Sequence, residues 1–442
     1  MSAKNERAQE DHRRSKMLSE LSDPQHRDTL YLTMNSLMGA ATGLLFWLVL
    51  ARVLALPPTE VGYGFAVIGL GTMVGVLGKG GLDTALIRNV PRASWREGRR
   101  LLVFAVLSGT AVVILLTLAF ALGSQVWFAI PELSVHGWLL VAGLGALLVI
   151  TWLQDAHFLA EGHARSIFQR NAVFSGARLL LPVPIVALSL AEPVPLAWGL
   201  ALLVSALLAL SFAKGDPLRD GEPVPRSRFL RSAFRNVTGS TAEFLPGLIL
   251  APLVLAVDGP EAAAYFGIAW TGASLLFLVS AAISRSALNR MVKSGEHGRP
   301  DAIRRASRQL LALILPATIA GIILAPLLLS VLGPDYAREG RLPFTILAMS
   351  TLFVAPAYLY LGLLRATERP KPLIVFPAAM MVALLTFAPL IGLYHGAVGV
   401  AAAWLIANVP FGVYAAYRLH QETQEVNPHV SPDPDRRHHH AE

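Results

Sequence analysis

Two charged residues lie deep inside otherwise apolar stretches of this sequence. Arg178 is about 12 residues into a stretch that begins at residue 166, and Glu243 is about 14 residues into one that begins at residue 229. If both stretches are helices, each side chain lies roughly 20 Å from one end, because a helix rises about 1.5 Å per residue. A charge at that depth in a membrane needs a polar partner or a wet cavity.

These two charges admit two interpretations. They can form an ion pair with only a structural role. Alternatively, Arg178 binds an anionic substrate, and Glu243 acts as a pairing residue or as a proton-linked switch.

Two polar stripes accompany the charges. Each follows steps of four, three and four residues, which place its members on one face of a helix. The stripes are Asn35, Gly39, Thr42 and Phe46, and Asn236, Ser240, Glu243 and Gly247. They suit either the walls of a shared cavity or hydrogen bonds between packed helices. On the cavity interpretation, the candidate substrate-binding residues are Arg178, Glu243, Asn35, Thr42, Asn236 and Ser240.

The second stripe also contains a candidate bending element, Pro246 with Gly247 beside it. Proline removes a backbone hydrogen bond and bends a helix. The bend can serve conformational change, or it can be a fixed kink that fits the packing.

The elements that carry these residues are apolar and long. The 442 residues are 54% hydrophobic and only 15% charged, with a mean hydropathy of +0.54. Runs of about 20 apolar residues are long enough to cross a bilayer as helices. We therefore predict an all-α integral membrane protein with twelve spans, at residues 29–55, 58–82, 100–122, 135–160, 166–190, 195–213, 229–256, 259–284, 308–332, 342–365, 370–393 and 396–418.

Along the chain, loops that are rich in lysine and arginine alternate with loops that contain few of them. The basic connections share one side with both termini, and the opposite connections hold little more than Arg338 and Arg341. Cytoplasmic loops are enriched in these residues, so we predict cytoplasmic termini and an inner-membrane location. The polar start lacks the pattern of a signal peptide. The predicted regions are a tail at 1–28, bundles at 29–213 and 229–418, a linker at 214–228 and a disordered tail at 419–442.

The sequence also contains an internal repeat with an offset of 202 residues. The identical pairs are Pro58 and Pro260, Tyr63 and Tyr265, Ala85 and Ala287, Leu86 and Leu288, and Arg88 and Arg290. Six spans separate the copies, so both halves have the same orientation. Such parallel repeats are common in secondary transporters.

The sequence contains few residue patterns that indicate thiol, metal or catalytic chemistry. The chain has no cysteine, which excludes disulfides and thiol nucleophiles. Asp155, His157 and Glu161 resemble a metal cluster only superficially, and we interpret them as solvated interfacial residues. We predict no metal site, no cofactor, no nucleic-acid partner and no enzyme activity.

Residues 50 to 92 resemble the N-terminal signature of polysaccharide-biosynthesis flippases. The matching elements are Leu50-Ala51-Arg52, Pro58-Thr59-Glu60, Gly62-Tyr63 and Gly81-Leu82 followed by Ala85 and Arg88. That family is part of the superfamily of multidrug, oligosaccharidyl-lipid and polysaccharide exporters. The resemblance implies two six-helix bundles around a central cavity and translocation of a lipid-linked saccharide by alternating access. It also implies membrane lipid as a partner, with glycosyltransferases or a polymerase as candidate protein partners.

Two alternatives stay open. A cation-coupled multidrug extruder of the same superfamily would use a deep acidic residue, for which Glu243 is the candidate. An assembly subunit of a polysaccharide-synthesis complex would need neither a cavity nor a bending helix.

Overall fold

A computed structural model of the chain describes residues 24–128, 131–212, 220–241, 245–367 and 369–424, and within these ranges the regular structure is entirely helical. The helices of the N-terminal half are α1 (Pro24–Leu48), α2 (Pro58–Lys79), α3 (Leu82–Asn89), α4 (Trp95–Gly123), α5 (Val135–Ala160), α6 (Ala164–Leu180), α7 (Pro182–Ala187) and α8 (Pro193–Phe212). Those of the C-terminal half are α9 (Arg226–Thr241), α10 (Leu245–Leu248), α11 (Leu250–Ser330), α12 (Pro334–Glu339), α13 (Arg341–Ala366) and α14 (Pro370–Gln424). A π-helical turn, Val49–Val53, extends α1.

The described helices account for the twelve predicted spans. Nine segments are long and apolar enough to cross a membrane. Two of them, Pro246–Gly295 and Lys371–Gln424, have about 50 residues each. That is far more than the roughly 20 residues that one crossing needs. Their backbones break at Gly259 and Gly396, so each contains two spans.

The twelfth span is α6 with its continuation α7. α6 alone has only 17 residues and contains three arginines, which explains why it is not among the nine. The expected span at 166–190 is divided at Leu181, because Pro182 begins a new helix there. The protein is thus an all-α membrane protein with twelve transmembrane helices in two six-helix bundles. We call the end of the helices with the arginine-rich connections the basic end, and the other the far end.

The internal repeat is visible as a twofold relationship between α2 and α11. A Cβ atom added to Gly62 would lie 2.6 Å from the backbone nitrogen of Ala264, and one added to Gly267 would lie 2.6 Å from the ring of Phe65. The members of each pair are 202 residues apart, which is the offset of the sequence repeat. Equivalent positions meet one another at a twofold axis. The axis between the halves therefore passes between α2 and α11.

The contacts that α2 makes with the C-terminal bundle lie mainly in the half of α2 nearer the far end. There Gly62 faces Pro260, and Gly69 faces Pro252. At the far end, the Arg52 side chain also donates a hydrogen bond of 2.8 Å to the carbonyl of Val331. The glycines in the other half of α2, Gly71, Gly75 and Gly78, instead approach α4 and α5 of their own bundle. Along α2, the two bundles are therefore joined in the half nearer the far end.

Toward the basic end, α9 packs against the N-terminal bundle. The ring of Phe229 lies 6.2 Å from that of Phe104, and Arg226 lies over the same Phe104 ring. The backbone of Glu222 donates a hydrogen bond to the carbonyl of Arg92. The first half of the seventh span is thus held by the bundle that precedes it in the sequence.

Candidate substrate site

The structure places Arg178 on α6, directly against the polar stripe of α1. Its guanidinium group donates hydrogen bonds to the hydroxyl of Thr42 and, at 3.0 Å, to the carbonyl of Gly39. Thr42 is also 3.2 Å from the hydroxyl of Ser175, one turn before Arg178 on α6. Only 4% of Arg178 is exposed. Two of the predicted site residues, Arg178 and Thr42, are therefore in direct contact.

Aromatic rings flank the guanidinium group of Arg178. Phe174 of α6 and Trp198 of α8 each lie with the ring centre 5.0 Å from it. Trp198 also packs edge-on against Phe46, the last member of the α1 stripe. Cation–π contact strengthens when the cation is desolvated, so these rings stabilise a buried charge without neutralising it.

The recorded partners of this arginine are all neutral. Among the described residues, Arg178 has no carboxylate within 4.0 Å, and its Nε atom is buried without a hydrogen-bond partner. The buried side-chain oxygen of Asn35, on the same α1 face, is likewise without one. Buried polar groups are nearly always hydrogen-bonded, and a buried charge usually has a counterion. This region therefore has unused capacity to bind a polar, negatively charged group.

The matching stripe of the seventh span is described only in part. Asn236 and Ser240 lie within α9, and Glu243 lies outside the described residues. The proposed pairing of Arg178 with Glu243, and the opposed polar walls, stay predictions. The first stripe does not simply face a cavity, since Thr42 and the Gly39 carbonyl are occupied by Arg178.

The predicted bending element lies where the helical run is interrupted. α10 ends at Leu248 and α11 begins at Leu250. Pro246 is buried, and a Cβ atom on Gly247 would lie 2.7 Å from the ring of Trp270. Trp270 in turn packs edge-on against Trp404, with ring centres 5.2 Å apart. Glycine is therefore required at 247 by the close approach of the two helices.

The interpretation of Asp155, His157 and Glu161 as solvated residues is wrong. Arg170 is 3% exposed and forms two hydrogen bonds with Asp155, at 2.7 and 2.6 Å. The side chains of His157 and Glu161 are 4% and 5% exposed and lie 3.7 Å apart. α6 packs back onto the end of α5, which buries the side chains of Arg170, His157 and Glu161 and leaves only 21% of the Asp155 side chain exposed. No group of three or more metal-binding side chains is arranged to hold an ion in the described ranges.

Sequence reasoning missed the surroundings of Arg178. Phe174 and Ser175 precede it by four and three residues, a spacing that places all three on one face of α6. This spacing in the sequence could have predicted that Phe174 and Ser175 lie beside Arg178. The contact with Trp198 could not be predicted in this way, because Trp198 is on a different helix.

Comparison with solved structures now identifies the fold. The chain superposes on an inward-facing multidrug-resistance transporter of the MATE family in the MOP superfamily, with a TM-score of 0.68 and 15% identity, covering 90% of this chain and 98% of that one. It matches the lipid II flippase MurJ in an inward closed conformation with a TM-score of 0.71 and 11% identity, covering 90% of each chain. A MOP-superfamily transporter from Pyrococcus furiosus gives 0.56 and 14% identity, covering 92% of this chain and 98% of the other.

The chain therefore has the fold of the MATE and MurJ transporters. No protein-family model matches the sequence, and no curated protein matches it either. The predicted architecture of twelve helices in two repeats is confirmed. The specific flippase family indicated by residues 50 to 92 stays a resemblance.

Proposed function

We propose that this protein is an alternating-access membrane transporter that translocates a lipid-linked oligosaccharide or polysaccharide precursor. The observation that supports this most is the buried Arg178, whose hydrogen-bond partners among the described residues are all neutral and whose Nε atom has no partner among them. A charge buried within the membrane is energetically unfavourable, and such charges usually mark a functional site.

The chemistry of Arg178 suits a phosphate group. Guanidinium groups bind phosphate oxygens through paired, charge-assisted hydrogen bonds. A polyprenyl-linked saccharide carries a phosphate or pyrophosphate between its lipid and its sugars. In our proposal that group accepts hydrogen bonds from Arg178, while Trp198 and Phe174 pack against the apolar parts of the substrate.

In our proposal, the contacts between the bundles correspond to a transporter state that is closed at the far end. The bundles are joined at the far end by Gly62 with Pro260 and by Arg52 with Val331. Substrate would therefore reach the site from the basic end, which the charge distribution predicts to be cytoplasmic. Separation of α2 from α11 at the far end would complete the translocation.

The alternative, a cation-coupled multidrug extruder, requires a deep acidic group to bind the cation. In the described part of the N-terminal bundle, the partly buried Asp155 is already paired with Arg170 near the basic end. The assembly-subunit alternative does not explain why a buried arginine has only neutral partners among the described residues. Glycosyltransferases or a polymerase remain proposed partners of the transporter.

The experiment is deletion of the gene in its host, followed by analysis of the lipid-linked saccharides in each leaflet. A membrane-impermeant oxidant applied to sealed vesicles of defined orientation reports the leaflet that the sugars occupy. Accumulation on the basic-end side, reversed by the wild-type chain, supports flipping. Unchanged saccharides together with new drug sensitivity would favour the extruder, and unassembled synthesis enzymes would favour the assembly subunit.

A further inference from the structure

A cavity lies in the C-terminal bundle, away from Arg178. It has a volume of about 460 Å³ and is formed by the last third of α11, by α13 and by the end of α14. None of the contacts described above between the two bundles involves the residues that line it. The cavity, here called the α11–α14 groove, therefore belongs to the C-terminal bundle alone.

The groove is apolar along most of its length. The walls of the groove farther from the basic end include Leu311, Ile314 and Leu315 of α11 and Leu352 and Ala355 of α13. Leu311 is 66% exposed and Leu315 is 38% exposed, so the groove opens on the surface of the bundle. From Arg304 to Leu315 it follows α11 for about 16 Å, at a rise of 1.5 Å per residue. This shape suits a hydrocarbon chain that lies along the helix.

The groove becomes polar and cationic at the basic end. Arg304 and Arg308, one turn apart on α11, lie there with His420 of α14. Arg304 donates a hydrogen bond of 3.0 Å to the carbonyl of Thr423, which holds its guanidinium group at the mouth of the groove. The same guanidinium group lies 3.7 Å from the carboxylate of Asp301, an exposed ion pair that is weakened by solvent and leaves other N–H groups of the arginine available. The exposed Arg308 has no recorded hydrogen bond or ion pair with any described residue. Two cations thus lie where an apolar groove meets the membrane surface.

We propose that the α11–α14 groove binds one anionic phospholipid of the leaflet at the basic end. One acyl chain lies along Leu311, Ile314 and Leu315, and the phosphate contacts Arg304 and Arg308. Basic pockets between transmembrane helices at the membrane surface are suited to anionic headgroups. The site would hold α11, α13 and α14 together near the basic end. It is separate from the substrate site and does not depend on the proposed transport.

A phospholipid fits the groove better than the other occupants. Free phosphate would leave the apolar walls exposed, and a second copy of the chain would bring its own basic groove against these arginines. The charge of an anionic headgroup complements the groove, and its acyl chain matches the apolar walls.

The test is native mass spectrometry of the purified full-length protein titrated with phosphatidylglycerol or phosphatidylcholine. We expect one phosphatidylglycerol to bind at least ten times more tightly than phosphatidylcholine. The double substitution Arg304→Ala with Arg308→Ala should weaken phosphatidylglycerol binding roughly tenfold or more. Arg305→Ala is the matched control, because Arg305 is an exposed arginine of the same turn that does not line the groove. It should leave this binding unchanged.

A second variant tests the apolar part without changing charge. Ala416 is an exposed residue that lines the groove, so Ala416→Phe should fill it without disturbing the fold and should weaken the binding of phosphatidylglycerol. Equal binding of the two lipids, or equal losses in the Arg305 and the Arg304/Arg308 variants, would overturn the proposal. So would displacement of the bound lipid by millimolar inorganic phosphate alone, or occupation by polyprenyl phosphate with no binding of phosphatidylglycerol.

Discussion

Arg178 of α6 and Thr42 of α1 are hydrogen-bonded to each other across two transmembrane helices. They are 136 residues apart in sequence, and the same guanidinium group also binds the carbonyl of Gly39. The bond connects the charge predicted to bind substrate with the polar stripe predicted to line the site. It holds the arginine in place while leaving its Nε atom unpaired.

Removal of the Thr42 hydroxyl should loosen Arg178 without removing the charge. Thr42→Val is nearly isosteric and leaves Arg178 with the Gly39 carbonyl as its remaining recorded acceptor on α1. A lost hydrogen bond to a charged group costs about 1.5–3 kcal/mol. We expect slower transport and a lower melting temperature in detergent, with Thr42→Ser close to wild type on both measurements. Equal behaviour of the valine and serine variants would show that the hydroxyl has no role.

Breaking the pair of Asp155 and Arg170 should destabilise the N-terminal bundle. Asp155→Asn leaves Arg170 buried without a counterion, a change that typically costs about 3–5 kcal/mol. The measurement is thermal unfolding in detergent. The control is Asp335→Asn at the exposed pair with Arg338, whose loss should cost less than about 1 kcal/mol. Similar melting temperatures for the two variants would contradict the burial assigned to Arg170.

Cysteines at positions 65 and 267 should cross-link the two bundles. An added Cβ on Gly267 lies 2.6 Å from Cγ of Phe65, which is one bond from Cβ, so the Cβ atoms of two cysteines would lie no more than about 4 Å apart, within reach of a disulfide. The chain has no native cysteine, which makes Phe65→Cys with Gly267→Cys a clean pair. Oxidation should stop transport and a reductant should restore it, because α2 and α11 could no longer separate.

The cross-link itself is detected by cutting an engineered protease site in the 214–225 segment and running a non-reducing gel. Each single cysteine variant is the control. Full transport activity of the cross-linked protein would show that the bundles need not separate at this point.

Gly247 should not tolerate a larger side chain. In Gly247→Val the new atoms would meet the ring of Trp270, and overpacking of this kind costs about 1–3 kcal/mol. We expect lower transport and lower thermal stability. Adding Trp270→Leu to Gly247→Val should restore much of the stability by making room. If the double variant is no more stable than Gly247→Val alone, the contact with Trp270 is not the reason that glycine occupies this position.

The sequence predicted the helices better than the contacts between them. Apolar length located the twelve spans, and the offset of 202 residues predicted the repeat that is seen between Phe65 and Gly267. Arg178 and Thr42 were each identified as polar residues at depth. Their hydrogen bond could not be predicted, because periodicity shows which face a residue is on and not which helix that face meets.

Burial at the basic end was harder to predict for the same reason. His157 and Glu161 looked like interfacial residues, since both are close to a helix end. The turn after α5 folds α6 back alongside it, and this tertiary contact removes both side chains from solvent. A charge near a helix end is therefore solvated only if no neighbouring helix covers it.

The most direct test of the proposed function is the transport of a pyrophosphate-linked saccharide lipid by Arg178 variants in proteoliposomes. We expect Arg178→Ala to lower the rate at least tenfold, and Arg178→Lys, which keeps the charge but loses the paired geometry, to be intermediate. Arg100→Ala, at an arginine whose side chain is 80% exposed, should transport at the wild-type rate. A wild-type rate for Arg178→Ala, at equal amounts of folded protein, would contradict the assignment of Arg178 to the substrate.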